Sequence, residues 1–248
     1  MKISIITATF NSGATVAQTL QSVQRQEYDN KEHIIVDGLS TDKTLEIVTG
    51  FAHVAKLIRE KDGGIYDAMN KGILASTGEI VGILNSDDVY ANNKVLAKVK
   101  STFEDPKVEA CYADLQYVHH QDMNKVVRIW KSGKLRARSF YWGWMPPHPT
   151  FFVRREVYDR VGLFNTSLKS AADYEMMLRI LVKHKFKAQY IPEVLVKMRM
   201  GGMSNASLLN RVRANREDRL AWKINGLRPY FFTLYVKPIR KISQFLIR

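Results

Sequence analysis

The sequence predicts an α/β protein with a mostly parallel central sheet, and three observations indicate this class. Short apolar runs rich in β-branched residues alternate with amphipathic segments over residues 1–90. The links between them are short, which favours right-handed β-α-β connections. Three of the first four runs end on hydroxyl or carboxylate residues, and in a parallel sheet such ends lie along one edge. We therefore expect the functional side chains at that edge.

The first four strands are predicted at residues 2–10, 33–36, 54–59 and 80–84. A helix follows the first strand, because Val16, Leu20 and Val23 share one helical face. Helices are also expected after the second strand, at 65–76 and from residue 95 onward. Asn11 or Ser12 is placed to cap the first helix, and Ser40 or Thr41 the second, with Asp42 in its first turn. Asp42 and Asp62 are interpreted as cap and turn residues.

The second half of the chain leaves this regular alternation after residue 106. Strands are predicted at 108–113, 115–119 and 125–130 with hairpin-like spacing, and further strands at 151–153, 187–191 and 194–200. Helices are predicted at 171–183 and 204–222. An aromatic and proline-rich loop at 140–149 contains Trp142 and Trp144. These two side chains either form a platform for an acceptor or pack under the sheet, and the residues leave both open.

Composition limits the class of protein. The chain has 248 residues, 46% of them hydrophobic and 25% charged, which is typical of a folded globular protein. One cysteine, Cys111, excludes an internal disulfide and a cysteine-cluster metal site, and its apolar surroundings predict a core position. No apolar run is long enough to span a membrane, and the N-terminus enters a strand directly, so we expect neither a membrane span nor a signal peptide and place the protein in the cytoplasm.

The net charge of +14 requires an anionic partner. Ten Lys/Arg and two acidic residues in 211–248 give this segment +8, more than half of the total. Within it, aromatic and aliphatic residues alternate with basic ones, most clearly over 229–248. We interpret this tail as an amphipathic segment that lies on an anionic membrane surface, so that the protein is peripheral on the inner face of the cell membrane. The alternative is a helix that packs back on the domain or against a second subunit.

Adjacent carboxylates follow the fourth strand. Asp87 and Asp88 come after the buried apolar run 80–84 and two small polar residues. Adjacent carboxylates repel each other, and a divalent cation would relieve that repulsion, as in sites where one or two carboxylates act together with substrate phosphates. The alternative is a polar turn in which an aspartate caps the next helix. The tetrapeptide alone supports both interpretations.

Several motifs coincide in one order along the chain. They are Ala-Thr-Phe-Asn at 8–11, Val-Asp-Gly-Leu-Ser-Thr-Asp at 36–42, Asp-Gly-Gly-Ile-Tyr-Asp-Ala-Met-Asn-Lys-Gly at 62–72, Asn-Ser-Asp-Asp at 85–88, His-Pro-Thr-Phe-Phe-Val-Arg-Arg at 148–155 and Ala-Asp-Tyr-Glu at 172–175. This set resembles the family 2 glycosyltransferases, inverting enzymes with the GT-A fold, and most resembles the bacterial enzymes that build capsule, exopolysaccharide or lipopolysaccharide. The resemblance implies a catalytic domain over 1–203, divided into a nucleotide-binding half (1–105) and an acceptor-binding half (106–203), with a basic helical extension at 204–248.

The resemblance also implies roles for individual residues. The residues expected at the nucleotide sugar are Thr9, Asn11, Asp37, Asp67, Asn70, Lys71, Asp87 and His148. Asp87 and Asp88 match the metal motif and would hold Mn²⁺ or Mg²⁺. In two departures from the pattern, Asn85 stands where many relatives have the first Asp of that motif, and Met69 where many have Arg. Lys71 is the candidate to replace that arginine.

The implied reaction is transfer of a sugar from a nucleoside diphosphate donor to a saccharide or polyprenyl-linked acceptor, a hexosyltransferase reaction. UDP is favoured over GDP because Asp37 suits a uracil imide. An inverting displacement needs a base opposite the leaving group, and the resemblance assigns this role to Asp173, with Glu175 as the second candidate. Ser170 and Asp173 also have the spacing of a capping box, so the other interpretation is that Asp173 only complements the helix dipole.

Two other functions remain as alternatives. A nucleotidyltransferase also binds a metal-bound nucleotide at strand ends, but residues 8–12 contain no glycine-rich basic loop. A basic nucleic-acid-binding protein would explain the charge, although no RNA-binding aromatic motif is present. A dehydrogenase is disfavoured because no Gly-x-Gly-x-x-Gly follows a strand.

Overall fold

The computed structural model describes the backbone of residues 1–201 and 208–242, and the side chains of residues 1–201 and 215–240. In this part of the chain the strands are β1 (Ile3–Thr9), β2 (Lys31–Asp37), β3 (Val54–Arg59), β4 (Ile80–Ile83), β5 (Val89–Tyr90), β6 (Ala110–Val118), β7 (Val126–Trp130), β8 (Phe152–Arg154) and β9 (Ala188–Arg199). The helices are α1 (Val16–Gln24), α2 (Thr44–Thr49), α3 (Ile65–Ala75), α4 (Val95–Thr102), α5 (Arg155–Val161), α6 (Ala172–Leu178), α7 (Leu208–Ile224) and α8 (Thr233–Ile242). A π-helical turn, Arg179–Lys183, continues α6, and 3₁₀ turns lie at Phe140–Trp142 and His148–Thr150.

These strands form one α/β sheet in the order β3-β2-β1-β4-β8-β6-β9-β5, with β7 paired to β6. The first four strands in this order are parallel, as predicted. Beyond β4 the sheet is mixed, because β8 runs antiparallel to both β4 and β6, whereas β6 and β9 are parallel. The register places Thr9 of β1 opposite Asp37 of β2, so the two strands end together.

Two pairs of predicted strands are single strands. Residues 108–113 and 115–119 belong to β6, and 187–191 and 194–200 belong to β9. The two strands pair in parallel through the positions that were predicted to separate them. The paired register moves from Ile191 directly to Val194, so Pro192 has no paired partner on β6. Proline has no backbone N–H to donate, and such an irregularity does not require one. Helix α5 was not predicted, and residues 204–207 of the predicted C-terminal helix lie outside the described residues.

The predicted helix caps are only partly correct. Helix α1 begins at Val16 with no side-chain cap, and the carbonyl of Ser12 accepts the Val16 N–H at 2.9 Å. Helix α2 begins at Thr44, and Asp42 Oδ1 accepts its N–H at 2.9 Å, so Asp42 performs the capping that was assigned to Ser40 or Thr41. Asp62 Oδ1 accepts the N–H of Gly64 at 2.9 Å, which confirms it as a turn residue.

The core lies on both faces of the sheet. Alternate residues of β4 and β6 join different clusters, with Val81 and Tyr112 in one and Ile80 and Cys111 in the other. Cys111 is fully buried, as predicted. Gly82 of β4 lies where a Cβ would be 2.3 Å from the ring of Phe152, so glycine allows β8 to pack this closely.

Glu32 of β2 links the N-terminal ends of the neighbouring parallel strands. Its Oε1 accepts hydrogen bonds from Ser4 Oγ and from the Thr77 N–H at 2.7 Å, and its Oε2 lies 2.7 Å from Lys2 Nζ. Burial raises the pKa of this carboxyl, but the hydrogen bonds from Lys2, Ser4 and Thr77 outweigh it and lower the pKa to about 2. This carboxylate therefore joins β1, β2 and the segment before β4.

Candidate functional site

The ends of β1 and β2 form the first part of the site. Asp37 is buried at 1% exposure, and its Oδ1 accepts the Thr9 hydroxyl at 3.1 Å. Its Oδ2 accepts the Ser40 N–H at 3.0 Å and lies 3.7 Å from Arg59 Nε on β3. Both carboxylate oxygens thus have partners, and Asp37 fixes Thr9 and the loop after β2 at the carboxyl edge of the sheet.

The loop after β1 is exposed beside this carboxylate. Asn11 has a positive φ of 48°, and its Oδ1 accepts the Thr41 N–H at 2.9 Å, which joins the two loops. Phe10 is 61% exposed, an unusual position for a phenylalanine next to buried strands. A Cβ on Gly38 would lie 3.5 Å from the Phe10 ring, so the ring borders the same edge.

In the segment before β4, Asp67 and Lys71 form an ion pair and Met69 is buried in the core. Asp67 accepts the Gly63 N–H at 2.9 Å, and Lys71 Nζ lies 3.4 Å from Asp67 and 2.9 Å from Glu60. The ammonium of Lys71 is therefore already balanced by two carboxylates. Met69 is 2% exposed and belongs to the core, so an arginine at this position would require repacking of the surrounding side chains.

The side-chain amide of Asn70 forms hydrogen bonds with the backbone of Phe164. Its amide donates to the carbonyl of Phe164 at 2.9 Å and accepts the N–H of the same residue at 2.9 Å. Both ends of the side chain are engaged by one backbone position. Asn70 therefore ties α3 to the loop after α5, and its predicted contact with a nucleotide sugar stays a prediction.

The loop after β4 places two carboxylates side by side in low-dielectric surroundings. Asp88 is fully buried, and Asp87 is partly buried. Burial raises the pKa of Asp87, and burial together with the negative charge of Asp87 raises the pKa of Asp88 well above its usual range. Asn85 Nδ2 donates to Asp88 Oδ2 at 2.9 Å, whereas Asp88 Oδ1 is buried without a hydrogen-bond partner among the described residues.

These features fit a divalent cation. Two adjacent carboxylates with raised pKa values and one unpartnered buried oxygen are the chemistry that a hard cation stabilises. Arg199 of β9, 7% exposed, supplies the nearby positive charge that lowers the pKa of Asp87. Across the part of the chain that the structure describes, no group of three or more His, Cys, Asp or Glu side chains is arranged to hold a metal by itself. A cation here would need further oxygen ligands from a substrate.

Asp173 lies in the first turn of α6 and is partly buried. Tyr66 of α3 donates its hydroxyl to Asp173 Oδ1 at 3.1 Å. Burial lowers the pKa of His148, and the negative charge of Asp173 partly opposes this, so the imidazole lies within electrostatic reach of the carboxylate. The structure thus brings together the predicted residues Asp173 and His148, and adds Tyr66.

The hydroxyl of Tyr117 on β6 is affected electrostatically by both acidic groups. Burial raises the pKa of its hydroxyl, Arg128 opposes this, and the negative charges of Asp88 and Asp173 raise it further. Arg128 lies over the Tyr117 ring at 3.7 Å. The negative charges of both carboxylates therefore reach the Tyr117 hydroxyl.

Three other residues that the sequence singled out have the following surroundings. Glu175, the second candidate for the base, is 1% exposed and pairs with Arg179 at 2.7 Å, which argues for a structural role. Trp144 is buried and donates to the Ser132 carbonyl at 2.6 Å, as expected of a residue packed under the sheet. Trp142 is 53% exposed and contacts Phe232 of the C-terminal segment.

The C-terminal segment packs on the domain with one face and exposes the other. Thr233 and Leu234 are buried, and Thr233 Oγ1 donates to the Tyr141 carbonyl at 2.7 Å. Lys237 Nζ lies 2.7 Å from Asp218 and 3.6 Å from the centre of the Tyr174 ring. On the opposite face, the exposed side chains are Phe231, Tyr235 and Ile239. Among residues 1–201 and 208–242, none of the helices combines the length and apolar character of a membrane span.

Sequence reasoning missed Tyr66, Tyr117 and Arg199 as members of the site. Tyr66 lies inside a quoted motif, where a tyrosine among acidic residues was an available signal. Tyr117 and Arg199 lie in strands with no local feature that distinguishes them. Strand β9 pairs with β5, which directly follows Asp88, and also with β6, so both strands lie near the loop that holds the carboxylates.

Comparison with solved structures supports the fold. The structure of Staphylococcus aureus TarS residues 1–349 in complex with UDP-GlcNAc superposes with a TM-score of 0.71 at 19% identity, covering 99% of this chain and 72% of that one. A mannosyltransferase of Pyrobaculum calidifontis, PcManGT, in complex with GDP-Man and Mn²⁺, superposes with a TM-score of 0.67 at 22% identity, covering 99% and 69%. The curled sheet with flanking helices is therefore the GT-A fold.

Sequence comparisons define the family. A "PGL/p-HBAD biosynthesis glycosyltransferase" of Mycobacterium bovis is 29% identical over 219 residues, 82% of this chain and 78% of the relative. A Mycobacterium tuberculosis protein described as an uncharacterized glycosyltransferase is 28% identical over 183 residues, 71% and 68% of the two chains. The profile of the family described as "Glycosyl transferase family 2" matches residues 4–162, more than half of the chain. On these grounds, this protein belongs to glycosyl transferase family 2.

Proposed function

We propose that this glycosyltransferase moves a sugar, with inversion, from a nucleoside diphosphate sugar to a saccharide or lipid-linked saccharide acceptor. The observation that carries the proposal is the buried carboxylate of Asp88 after β4, whose Oδ1 has no hydrogen-bond partner among the described residues, together with the carboxylate of Asp173 in the first turn of α6. One acidic group serves the leaving diphosphate, and the other serves the acceptor. Membership of the family favours sugar transfer over the alternative of nucleotide transfer, and over nucleic-acid binding.

In this proposal the donor lies along the carboxyl edge of the sheet. Thr9, Asn11 and Asp37 border the nucleoside, and the exposed Phe10 ring adds an apolar surface for the base. A carboxylate at this edge suits the N–H of a uracil imide, so UDP is favoured over GDP. Asp67 and Lys71 lie toward the diphosphate, where the two carboxylates beside Lys71 keep its ammonium charged and in place.

Asp87 and Asp88 would hold the divalent cation, Mn²⁺ or Mg²⁺. The bound cation supplies Lewis-acid stabilisation of the charge that develops on the diphosphate. The protein buries Asp88 fully and Asp87 partly, and Asn85 orients Asp88 through its amide. Arg199 keeps a positive charge beside Asp87.

Asp173 is the proposed general base. Its carboxylate takes the proton of the acceptor hydroxyl as that oxygen attacks the anomeric carbon, so that proton transfer accompanies bond formation. Burial lowers the pKa of the neighbouring His148, which favours the neutral imidazole, and its ring N–H can donate a hydrogen bond to the substrate. The two groups define the acceptor side of the site.

The test is calorimetric titration of UDP and GDP, each with and without Mn²⁺, into wild type, Asp88→Asn and Asp159→Asn. Asp159 is an exposed aspartate of α5 and serves as the matched control. We expect one diphosphate to bind with a metal requirement in wild type and in the control, and Asp88→Asn to lose that binding. Metal-independent binding, or full binding by Asp88→Asn, would refute the assignment of the cation site. The anomeric configuration of the product, determined by NMR, tests inversion.

We further propose that the exposed face of α8 rests on an anionic membrane surface. Phe231, Tyr235 and Ile239 are spaced four residues apart, and each is at least 60% exposed. Basic residues flank them, including Arg219 and Arg240, and each basic residue near an anionic surface contributes about 1 kcal/mol. Apolar side chains with a cationic border fit a lipid interface, which suits a lipid-linked acceptor.

Flotation with vesicles of phosphatidylcholine alone, or mixed with phosphatidylglycerol, tests this surface. We compare wild type with the double variant Phe231→Ser and Ile239→Ser, which keeps the buried face of α8, and with Leu74→Ser as a control for loss of another exposed apolar residue (73% exposed). Wild type and the control should float with anionic vesicles only, and the double variant should remain at the bottom. Equal flotation of all three proteins would overturn the proposal.

A further inference from the structure

The helix that carries Asp173 is held by a segment that lies outside the matched family profile, which ends at residue 162. The residues that precede α6 have backbone N–H groups that its own turns cannot satisfy. Glu217 of α7 reaches them, and its Oε2 accepts the N–H of Ser170 at 2.7 Å and of Ala171 at 3.1 Å. The predicted capping box is therefore wrong, since the cap comes from a side chain 47 residues away in sequence.

Further contacts between α7 and α6 lie on both sides of Asp173. Trp222, fully buried, donates its indole N–H to Tyr174 Oη at 3.0 Å. Asn225 Nδ2 donates to the carbonyl of Glu175 at 3.2 Å and to its Oε1 at 3.1 Å. Helix α7 therefore contacts the backbone two and three residues before Asp173 and two residues after it.

The carboxylate itself is oriented from the opposite side by α3. The Tyr66 hydroxyl donates to Asp173 Oδ1 at 3.1 Å, and the Tyr66 ring stacks on Phe164 with centroids 5.7 Å apart. Burial raises the pKa of Tyr66, and the charge of Asp173 raises it further, so the hydroxyl keeps its proton and remains a donor. Tyr66 thereby engages one of the two carboxylate oxygens of Asp173, Oδ1.

We propose that Tyr66 and Glu217 are positioning residues for the general base: Tyr66 sets the rotation of the Asp173 carboxylate, and Glu217 sets the position of its helix. The inference rests on the proposed role of Asp173 as base. A base must lie within about 2.6–3.2 Å of the proton that it removes. A displacement of about 1 Å can cost roughly 100-fold in rate, so both contacts carry a kinetic consequence. The C-terminal segment is, on this view, part of the catalytic unit and not an accessory tail.

The variants are Tyr66→Phe, Glu217→Ala and Glu217→Gln. Tyr158→Phe removes a hydroxyl from another buried tyrosine, and Glu193→Ala removes an exposed carboxylate that pairs with Lys98; these are the matched controls. The assay is release of the nucleoside diphosphate with water as acceptor, using whichever of UDP-glucose, UDP-galactose, UDP-GlcNAc and GDP-mannose wild type turns over fastest. Binding of the diphosphate with Mn²⁺ is measured in parallel.

We expect Tyr66→Phe to lower kcat by about 10-fold or more, with the diphosphate Kd changed less than about twofold. The acidic limb of its kcat/KM profile should move to higher pH, because an ionised carboxylate that loses a donor is protonated more easily. Glu217→Ala should also lower kcat by about 10-fold, and Glu217→Gln should recover most of the loss, since its amide oxygen accepts the same two N–H groups. Crystal structures should show the Asp173 carboxylate rotated in Tyr66→Phe and α6 displaced in Glu217→Ala.

The proposal is overturned if the variants match their controls in kcat, or if the crystal structures show Asp173 in its original position. It is also overturned if kcat and diphosphate binding fall together with an unchanged pH profile, since that pattern indicates loss of folded protein. The variant Asp173→Asn distinguishes failure of the proposed base from failure of the proposed positioning roles. Its retention of wild-type activity would refute the proposed base itself, whereas an inactive Asp173→Asn beside fully active positioning variants would refute only the present inference.

Discussion

His33 makes the stability of the sheet depend on pH, and the effect can be calculated. The side chain lies in the centre of β2 at 1% exposure, with Nε2 3.0 Å from Thr7 Oγ1 and Nδ1 3.2 Å from His53 Nε2. Burial, and then the neighbouring His53, lower the pKa of His33 from 6.5 to about 3. The folded protein therefore contains the neutral imidazole, whereas the unfolded chain accepts a proton near pH 6.5.

The direction in which pH changes the free energy of unfolding follows from this difference in pKa. A depressed folded-state pKa contributes stability that is fully present above pH 6.5 and is lost as the pH falls from about 6.5 toward 3. Between about pH 7.5 and pH 5, the unfolded state gains roughly 2 kcal/mol from protonation of this one residue. Burial also lowers the pKa of His53, and the nearby Lys31 lowers it further, so the second imidazole adds to the loss in the same direction.

The assay is urea unfolding of wild type, His33→Gln and His184→Gln at these two pH values. The glutamine at position 33 retains an amide that reaches Thr7 but does not titrate. We expect wild type and the exposed control His184→Gln to lose about 2 kcal/mol more than His33→Gln on acidification. If all three proteins lose the same free energy of unfolding, then His33 is not the neutral, buried group that its surroundings predict.

Two further substitutions test the packing of the sheet. Gly82→Ala should destabilise the protein by about 1–3 kcal/mol in denaturant unfolding, because its Cβ would lie 2.3 Å from the buried Phe152 ring. Gly63→Ala, with no neighbour of its Cβ closer than 3.7 Å, should change stability by less than about 0.5 kcal/mol, and equal losses would refute the packing argument. Glu32→Gln should cost about 2 kcal/mol at neutral pH, the shift of its pKa from 4.5 to about 2 discounted for solvent screening of its lysine partner. That cost should shrink as the pH falls from about 4.5 toward 2, and a difference that persists at low pH would contradict it.

The amino-acid pattern was sufficient for the first half of the fold. Strands β1 to β4 and the helices between them follow from periodicity that is local in sequence, and β3 begins and ends at the predicted residues. In the second half, β6 and β9 were each divided into two, because an acidic residue in β6 and a proline in β9 resemble turns when only neighbours are considered. The partner strand supplies the ladder hydrogen bonds that keep each strand continuous through those positions.

For the candidate site, the sequence determined the types of residue and their order, and it placed Asp87 and Asp88 directly after a buried strand. Only the tertiary structure decided which of these residues meet. Tyr66 and Asp173 are 107 positions apart, and Glu217 reaches the start of α6 from α7. Backbone hydrogen bonding and side-chain periodicity are local, so the sequence reports them directly. Contacts between distant segments depend on which apolar faces pack together, and no short pattern of residues records that choice.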